Sequence, residues 1–255
     1  MGKNNLDVHD ELQKRRTALV FDHFESYVDA QLWTKGGDAG TVANSDGDGG
    51  ILTMTTGAGA DQDAFVATTR KNWTFLAGKP MTFQCGFRYS EANTDQACIF
   101  AGFCSGAFNT ILTDNTYVLL TPCSAAGILK KPGETKWSAF SSVGAVQKLT
   151  PSISPCQQAG LIQEFIIEVA IVGLNIEVTF KQGGPGPVSV VGGGPAGPTY
   201  MYPDVTTMAR MQPIKHVIPF AGALAMAAGV DIKAGSGSSE VLSLDYAAIE
   251  HLVMP

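Results

Sequence analysis

Short apolar or alternating runs, broken by glycine, proline, asparagine and aspartate, constrain the fold of this chain most strongly. They follow one another from residue 18 to the C-terminus as "ALVFDHF", "GILTMTT", "DAFVATT", "PMTFQCGFRYS", "ACIFAGFCS", "TYVLLTP", "EFIIEVAIV", "NIEVTFKQ", "HVIPFAGALAMAAGVDIKA" and "EVLSLDYAAIEHLVM". Such spacing is typical of strands in a meander or sandwich. No long segment has the 3.6-residue helical period, which disfavours a doubly wound α/β fold. The pattern predicts an all-β protein.

The clearest local prediction is a hairpin between Gln163 and Lys181. Gly173 and Leu174 can form a two-residue type II′ turn, with the glycine at positive φ. This register makes one face apolar and the other polar. The apolar face pairs Ile171 with Ile176, Val169 with Val178 and Ile167 with Phe180, and the wetter face pairs Ala170 with Glu177 and Glu168 with Thr179.

Length and composition predict one large domain over residues 19–255. The chain has 255 residues and is 45% hydrophobic, which suits a single sandwich core. A Gly/Pro-rich segment near residues 182–203 cannot sustain a strand ladder. The sequence after it offers too few strands for a second core, so a long surface loop is favoured over an interdomain linker.

Residues 1–18 are predicted to form a separate arm. The segment is densely charged, with acids before bases, which suits a short helix. Its few apolar residues leave two alternatives open, a frayed terminus or an arm that docks on a partner. The start has no apolar signal core, and no apolar run approaches the roughly 20 residues of a membrane span. The net charge of −6 argues against a nucleic-acid partner.

Cysteines and histidines give no metal or disulfide motif. The five cysteines are odd in number and lack C-x-x-C spacing, so they are predicted to be reduced and mostly buried, and neither zinc nor another cofactor is expected. No histidine begins an H-E-x-x-H motif. These residues are Cys85, Cys98, Cys104, Cys123 and Cys156, and His9, His23, His216 and His251.

Carboxylates are the next candidates for chemistry. Glu164 and Glu168 lie four apart on one predicted strand, about 13 Å along it, which exceeds the spacing of glycosidase acid pairs. Glu177 could approach Glu168 diagonally, but no third acid completes a catalytic pattern, and solvated side chains are favoured. A catalytic triad of Ser238, Asp245 and His251 is a further alternative. It is disfavoured, because Asp245 and His251 would lie about 20 Å apart on one strand.

Three further sequence features are candidates for sugar binding, glycosylation or calcium binding. Trp33, Trp73 and Trp137 could stack on sugars if exposed, although closing the core is the favoured role. Asn72 begins a formal glycosylation sequon. The segment "NSDGDGGILTMTT" offers Asp46 and Asp48 as calcium ligands, but the rest of the EF-hand pattern fails, and a turn into a strand is favoured.

Four segments follow one another along the chain: "FDHFESYVDAQLWTKGG", "GGILTMTTGAGADQDAF", "FIIEVAIVGLNIEVTF" and "LSLDYAAIEHL". In this order they resemble the concanavalin A-like jelly-roll domains of tailed-bacteriophage virion proteins. The resemblance implies two antiparallel sheets, with the N-terminal strand beside the C-terminal one. It also implies a virion protein such as a capsid decoration or cement protein, made in the host cytoplasm, a role that rests on fold analogy.

The leading hypothesis is therefore a non-enzymatic decoration protein that binds the major capsid protein and copies of itself, as trimers, and stabilises the shell. The alternative is a carbohydrate-binding or receptor-binding component of a phage tail or fibre, using the wetter sheet face and exposed aromatics. A polysaccharide-cleaving enzyme is the third and least favoured hypothesis.

Overall fold

Two antiparallel β-sheets form the described part of the chain, which comprises residues 19–25, 31–45, 50–71, 73–92, 96–108, 111–112, 123–144, 146–156, 162–183, 214–219, 222 and 224–251 of a computed structural model. Sixteen strands and no helix occur within these ranges, which confirms the predicted all-β, two-sheet sandwich. The described residues therefore contain no helix that could span a membrane. The predicted arm at 1–18, Asp46, Asp48 and most of the Gly/Pro-rich loop lie outside these ranges.

The first sheet, sheet A, contains both ends of the domain. β1 (Leu19–Asp22) pairs with β16 (Val241–His251), so the N-terminal strand lies beside the C-terminal one, as predicted. β7 (Met81–Ser90) lies between β12 (Gln163–Val172) and β16 at the centre. The spatial order is β14 (Ile214–Pro219), β13 (Asn175–Gly183), β12 (Gln163–Val172), β7 (Met81–Ser90), β16 (Val241–His251), β4 (Ile51–Thr55) and β3 (Thr41–Ser45), with β1 (Leu19–Asp22) also on β16.

The second sheet, sheet B, packs against the first and is also eight-stranded. Its long central strands, β8 (Ala97–Cys104) and β15 (Leu224–Ala234), are buried almost throughout. The order is β11 (Val146–Pro155), β10 (Lys136–Val143), β9 (Ala125–Lys130), β8 (Ala97–Cys104), β15 (Leu224–Ala234), β5 (Asp63–Thr68) and β2 (Trp33–Gly36), with β6 (Trp73–Phe75) also on β15.

The predicted hairpin is present in β12 and β13 with the predicted register. Ile171, Val169 and Ile167 lie opposite Ile176, Val178 and Phe180. Gly173 has a φ of +61°, which glycine adopts without the steric cost that a Cβ atom imposes. The apolar face points into the sandwich, where five of these six side chains are buried. β13 continues to Gly183, and the rest of the predicted Gly/Pro-rich loop near 182–203 lies outside the described residues.

All three tryptophans belong to the core between the sheets. Trp33, Trp73 and Trp137 are 2%, 6% and 0% exposed. The Trp137 ring lies 5.0 Å from that of Phe165, and its Nε1 donates to Oε1 of Gln163 at 3.0 Å. The core role favoured from the sequence is confirmed, and no tryptophan offers a free ring to a sugar.

His216 joins the two sheets at one edge of the sandwich. It lies on β14 of sheet A, and its Nδ1 and Nε2 are each 2.8 Å from a hydroxyl of sheet B, on Ser141 and Thr150. Burial, and secondarily the charge of Lys148, lower the pKa of His216 to about 4. The ring is therefore neutral at physiological pH and has a structural role.

Candidate functional site

The outward surfaces of the two sheets differ, and the candidate site lies on sheet A. We call the outward side chains of β1, β7, β12, β13, β14 and β16 the open face. Polar and partly exposed residues alternate there with buried ones, as the burial of β12 and β16 shows. This is the wetter face that the hairpin register predicts.

Three aromatic rings cluster on the open face, and we call them the aromatic group. Phe21 lies 4.6 Å from His23 and 5.9 Å from Tyr246, measured between ring centroids, and His23 lies 6.1 Å from Tyr246. Phe21 is 56% exposed, which is unusual for a phenylalanine in a strand, and His23 is exposed as well. Tyr246 is only 8% exposed and forms the base of the group.

Tyr246 is held in place by its neighbour on β7. It lies directly opposite Gly86, and a Cβ atom at position 86 would come within 2.5 Å of Cε1 of Tyr246. The ring can therefore lie over the strand only because residue 86 has no side chain. Gln84 donates from Nε2 to the Tyr246 hydroxyl at 2.8 Å. Burial raises the pKa of Tyr246, so it stays a neutral phenol.

The end of β1 sets the positions of Phe21 and His23. Asp22 accepts from the backbone N–H of Phe24 at 2.7 Å and from Nε1 of Trp33 at 2.9 Å. Phe24 has a φ of +56° and is fully buried, so the chain turns inward directly after His23. Positive φ is costly for an aromatic residue. The Asp22 bonds and the buried Phe24 ring hold this turn and leave Phe21 and His23 facing outward.

Glu164 and Gln84 lie beside the aromatic group, whereas Glu168 and Glu177 lie farther along the β12–β13 hairpin. Glu164 lies opposite Gly86 on the neighbouring strand, beside Tyr246. Glu168 pairs with Lys181 at 2.6 Å, and Glu177 with Lys215 at 2.5 Å. The pairing of Glu168 and Glu177 with lysines agrees with the solvated role favoured from the sequence.

The outward surface of sheet B, in contrast, is covered by the chain itself. Phe108, Ile111 and Leu112 follow β8 and pack on it, and we call residues 105–108 and 111–112 the cap. The Phe108 ring lies 6.3 Å from Phe65 and 6.2 Å from Phe100. We call this surface the capped face.

Charged residues are buried beneath the cap. Asp63, Asp231 and Lys233 are each no more than 3% exposed, and Lys233 donates from Nζ to the carbonyl oxygen of Leu112 at 3.1 Å. Burial raises the pKa of Asp231 well above its usual range, helped by the charge of Asp63. Oδ1 of Asp231 has no hydrogen-bond partner. The capped face thus carries a carboxyl group whose ionisation is costly.

A small cavity of about 240 Å³ lies at one end of sheet B. Thr69 Oγ1 and Trp73 Nε1, on two of its lining residues, are buried without hydrogen-bond partners. No carboxylate is among the lining residues, which are Gln31, Leu32, Thr68, Thr69, Arg70 and Trp73. The cavity has polar groups but no exposed ring, so it is a weaker candidate than the open face.

The other residues singled out from the sequence do not form a site. Asp245 and His251 both lie on β16, and Ser238 precedes that strand, so no triad forms. Within the described ranges no group of three or more potential metal ligands exists. All five cysteines are free, and four of them are buried, as predicted. His9 and Asn72 lie outside the described residues.

Sequence reasoning did not select the aromatic group. The available signal was the spacing of Phe21 and His23, which are two residues apart and so share one face of a strand. Tyr246 carried no comparable signal, because its contact with β1 depends on the pairing of the first and last strands.

Comparison with known proteins gives a likeness of fold alone. The sequence matches no protein-family model and no curated protein sequence. The carbohydrate recognition domain of Emp47p is 10% identical with a TM-score of 0.53, covering 99% of this chain and 100% of that one. Lectin II from Ulex europaeus is 8% identical with a TM-score of 0.51, covering 93% and 100%. An endo-1,3-β-glucanase from Streptomyces sioyaensis is 14% identical with a TM-score of 0.54, covering 92% and 96%.

These neighbours show that the chain has a concanavalin A-like, lectin-type jelly-roll fold. They include both carbohydrate-binding proteins and an enzyme, so the fold alone does not decide between binding and catalysis. The predicted relation to phage virion proteins receives no support from them and stays a prediction.

Proposed function

We propose that the chain is a carbohydrate-binding protein that holds its ligand on the open face of sheet A, through the aromatic group. The observation that carries this proposal is the exposed Phe21 ring, which lies beside His23 over Tyr246 on a polar surface. The lectin-type fold of the neighbouring structures supports it weakly.

The chemistry of the group suits a sugar. An exposed aromatic ring offers an apolar surface to the C–H groups of a pyranose ring. The Glu164 carboxylate can accept hydrogen bonds from sugar hydroxyls, and the Gln84 amide carries both donor and acceptor atoms. In binding sites for small polar ligands, an apolar surface contacts the ligand and a few hydrogen-bonding groups beside it fix its orientation.

A glycan array with matched variants tests this proposal. Phe21→Ala removes the exposed ring, and we expect at least about tenfold weaker binding to any glycan that the unaltered chain retains. Val172→Ala is the control, because Val172 is also on sheet A and 52% exposed but lies at the hairpin end of β12. Its binding should be unchanged.

Two results would refute the proposal. One is the absence of any reproducible glycan binding by the unaltered chain. The other is binding that survives both Phe21→Ala and His23→Ala, which would show that a sugar binds elsewhere. Tryptophan substitutions are unsuitable here, since all three rings are buried and their removal would disturb the core.

We further propose that binding occurs without cleavage. Glu168 and Glu177 are each held in an ion pair with a lysine, and Glu164 lies about 13 Å from Glu168 along β12, farther than the two acids of a glycosidase. The chain should release no reducing sugar from glycans that it binds. Hydrolysis that is abolished by Glu168→Gln would contradict this.

The setting on a virion, with the major capsid protein and further copies of the chain as partners, remains a separate proposal from the sequence resemblance. Its test is the presence of the chain in purified particles and a loss of shell stability when it is deleted. A sugar-binding result would not decide this question.

A further inference from the structure

The two ends of the segment between β8 and β9 bring two cysteines together. Cys104 is the last residue of β8, and Cys123 lies two residues before β9. Their Sγ atoms are 2.9 Å apart, and both thiols are free. This separation is less than 1 Å longer than a disulfide bond, about 2.05 Å.

Hydrogen bonds between the neighbouring residues Ser105 and Ser124 fix this geometry. The N–H of Ser105 donates to the carbonyl oxygen of Ser124 at 2.8 Å, and the N–H of Ser124 donates to Oγ of Ser105 at 3.0 Å. Cys104 is itself paired in register with Ala125. The two sulfur atoms therefore lie close together at the end of the β8–β9 strand pair.

The surroundings distinguish the two thiols chemically. The hydrogen bond between them lowers the pKa of Cys123 and raises that of Cys104. The N–H of Gly106 donates to Sγ of Cys104 at 3.1 Å. One sulfur with thiolate character beside a protonated one is the arrangement from which disulfides form. Cys85 and Cys98 differ, because burial raises the pKa of both thiols.

We propose that Cys104 and Cys123 form a reversible disulfide that covalently closes the base of the cap. This modification site is independent of the proposed sugar binding, since it lies on the opposite sheet. The cap residues Phe108 and Leu112 arise directly from the segment that the bond would close. Oxidation would thus hold the cover of the capped face in place.

A peroxide is a suitable oxidant, because it is small enough for a pair that is no more than 5% exposed. The Cys123 thiolate attacks one peroxide oxygen, the O–O bond breaks, and a sulfenic acid and hydroxide form. The Cys104 sulfur then attacks the sulfenic sulfur, the S–S bond forms, and its proton leaves with the hydroxyl group as water. Overall, the two thiols lose two protons and two electrons, and hydrogen peroxide takes these up to become two waters.

Titration of the full chain with stoichiometric hydrogen peroxide tests the proposal. We expect two of the five thiols to disappear, and peptide mapping without reductant to find one cross-linked peptide pair, Cys104 with Cys123. Dithiothreitol should restore both thiols. Cys98→Ser is the control, because Cys98 lies in the same apolar cluster and its loss should leave the cross-link intact.

The bond should also be visible in stability. Oxidation should raise the Tm by roughly 5–10 °C, since it constrains about 20 residues of the unfolded chain, and Cys104→Ser should abolish this rise. Peroxide treatment that yields another cysteine pair, or sulfinic acid at Cys123 with Cys104 still reduced, would overturn the proposal. If Cys104→Ser fails to fold, the peptide map of the unaltered chain still decides.

Discussion

The open face of sheet A and the capped face of sheet B lie on opposite sides of one sandwich, and their aromatic and acidic side chains differ in solvent exposure. On the open face an aromatic ring, Phe21, is 56% exposed and the Glu168 carboxylate is paired with Lys181 near solvent. On the capped face the Phe108 ring and the Asp231 carboxyl group are both buried.

This difference in exposure leaves the open face as the surface that is accessible to a ligand. Phe108, Ile111 and Leu112 cover the central part of the capped face, although Leu149 on β11 remains 43% exposed. The open face has no such cover among the described residues. Contiguous exposed apolar patches on a protein surface often mark a ligand or partner site.

The largest expected effect comes from removing one phenylalanine from each face. Phe108→Ala should lower the free energy of unfolding by about 3–4 kcal/mol, because a buried ring between Phe65 and Phe100 is lost. Phe21→Ala should cost about 1 kcal/mol or less, since the ring is largely exposed already. Denaturant unfolding measures both changes.

The two substitutions should affect glycan binding in the opposite order from stability. Phe21→Ala should weaken glycan binding and Phe108→Ala should leave it intact, provided that the variant is studied below its unfolding transition. Equal losses of stability in the two variants would contradict the distinction between the faces.

A smaller effect is expected from neutralising one carboxyl group on each face. Burial raises the pKa of Asp231, so the folded state retains a proton that the unfolded state has lost above about pH 4. Stability from this group is therefore present at low pH and lost as the pH rises. At pH 7, Asp231→Asn should be more stable than the unaltered chain by about 1–2 kcal/mol.

The matched change on the open face is Glu168→Gln. Its exposed ion pair with Lys181 should contribute no more than about 0.5 kcal/mol. Stability curves of both variants from pH 4 to pH 8 check these expectations. A destabilised Asp231→Asn at neutral pH would mean that the ionised carboxylate contributes to holding the capped face.

Much of the fold could be predicted from the sequence where apolar alternation is strong. The β12–β13 hairpin was predicted residue by residue, because its alternation and the turn glycine agree on a single register. Six strands are absent from the predicted runs: β2, β3, β6, β9, β10 and β11. Of these, β3 ("TVANS") has only two apolar residues and β11 ("VQKLTPSISP") contains two prolines, so neither resembles a strand by composition.

The candidate site was predicted only as a surface. The hairpin register identified the wetter face, but the aromatic group needs contacts between residues 21 and 246 that local patterns do not reveal. The Cys104–Cys123 pair was missed for a similar reason. Nineteen positions separate the two residues in the chain, and only the β8–β9 register brings them together.

Mapping a bound saccharide onto the chain tests the central claim most directly. Nuclear magnetic resonance of the labelled protein, titrated with a glycan selected on the array, should show its largest chemical-shift changes at Phe21, His23 and Tyr246 and on the outward residues of β7 and β12. Changes centred instead on the cavity at Arg70 and Trp73, or on the cap, would contradict the assignment of the open face as the binding surface.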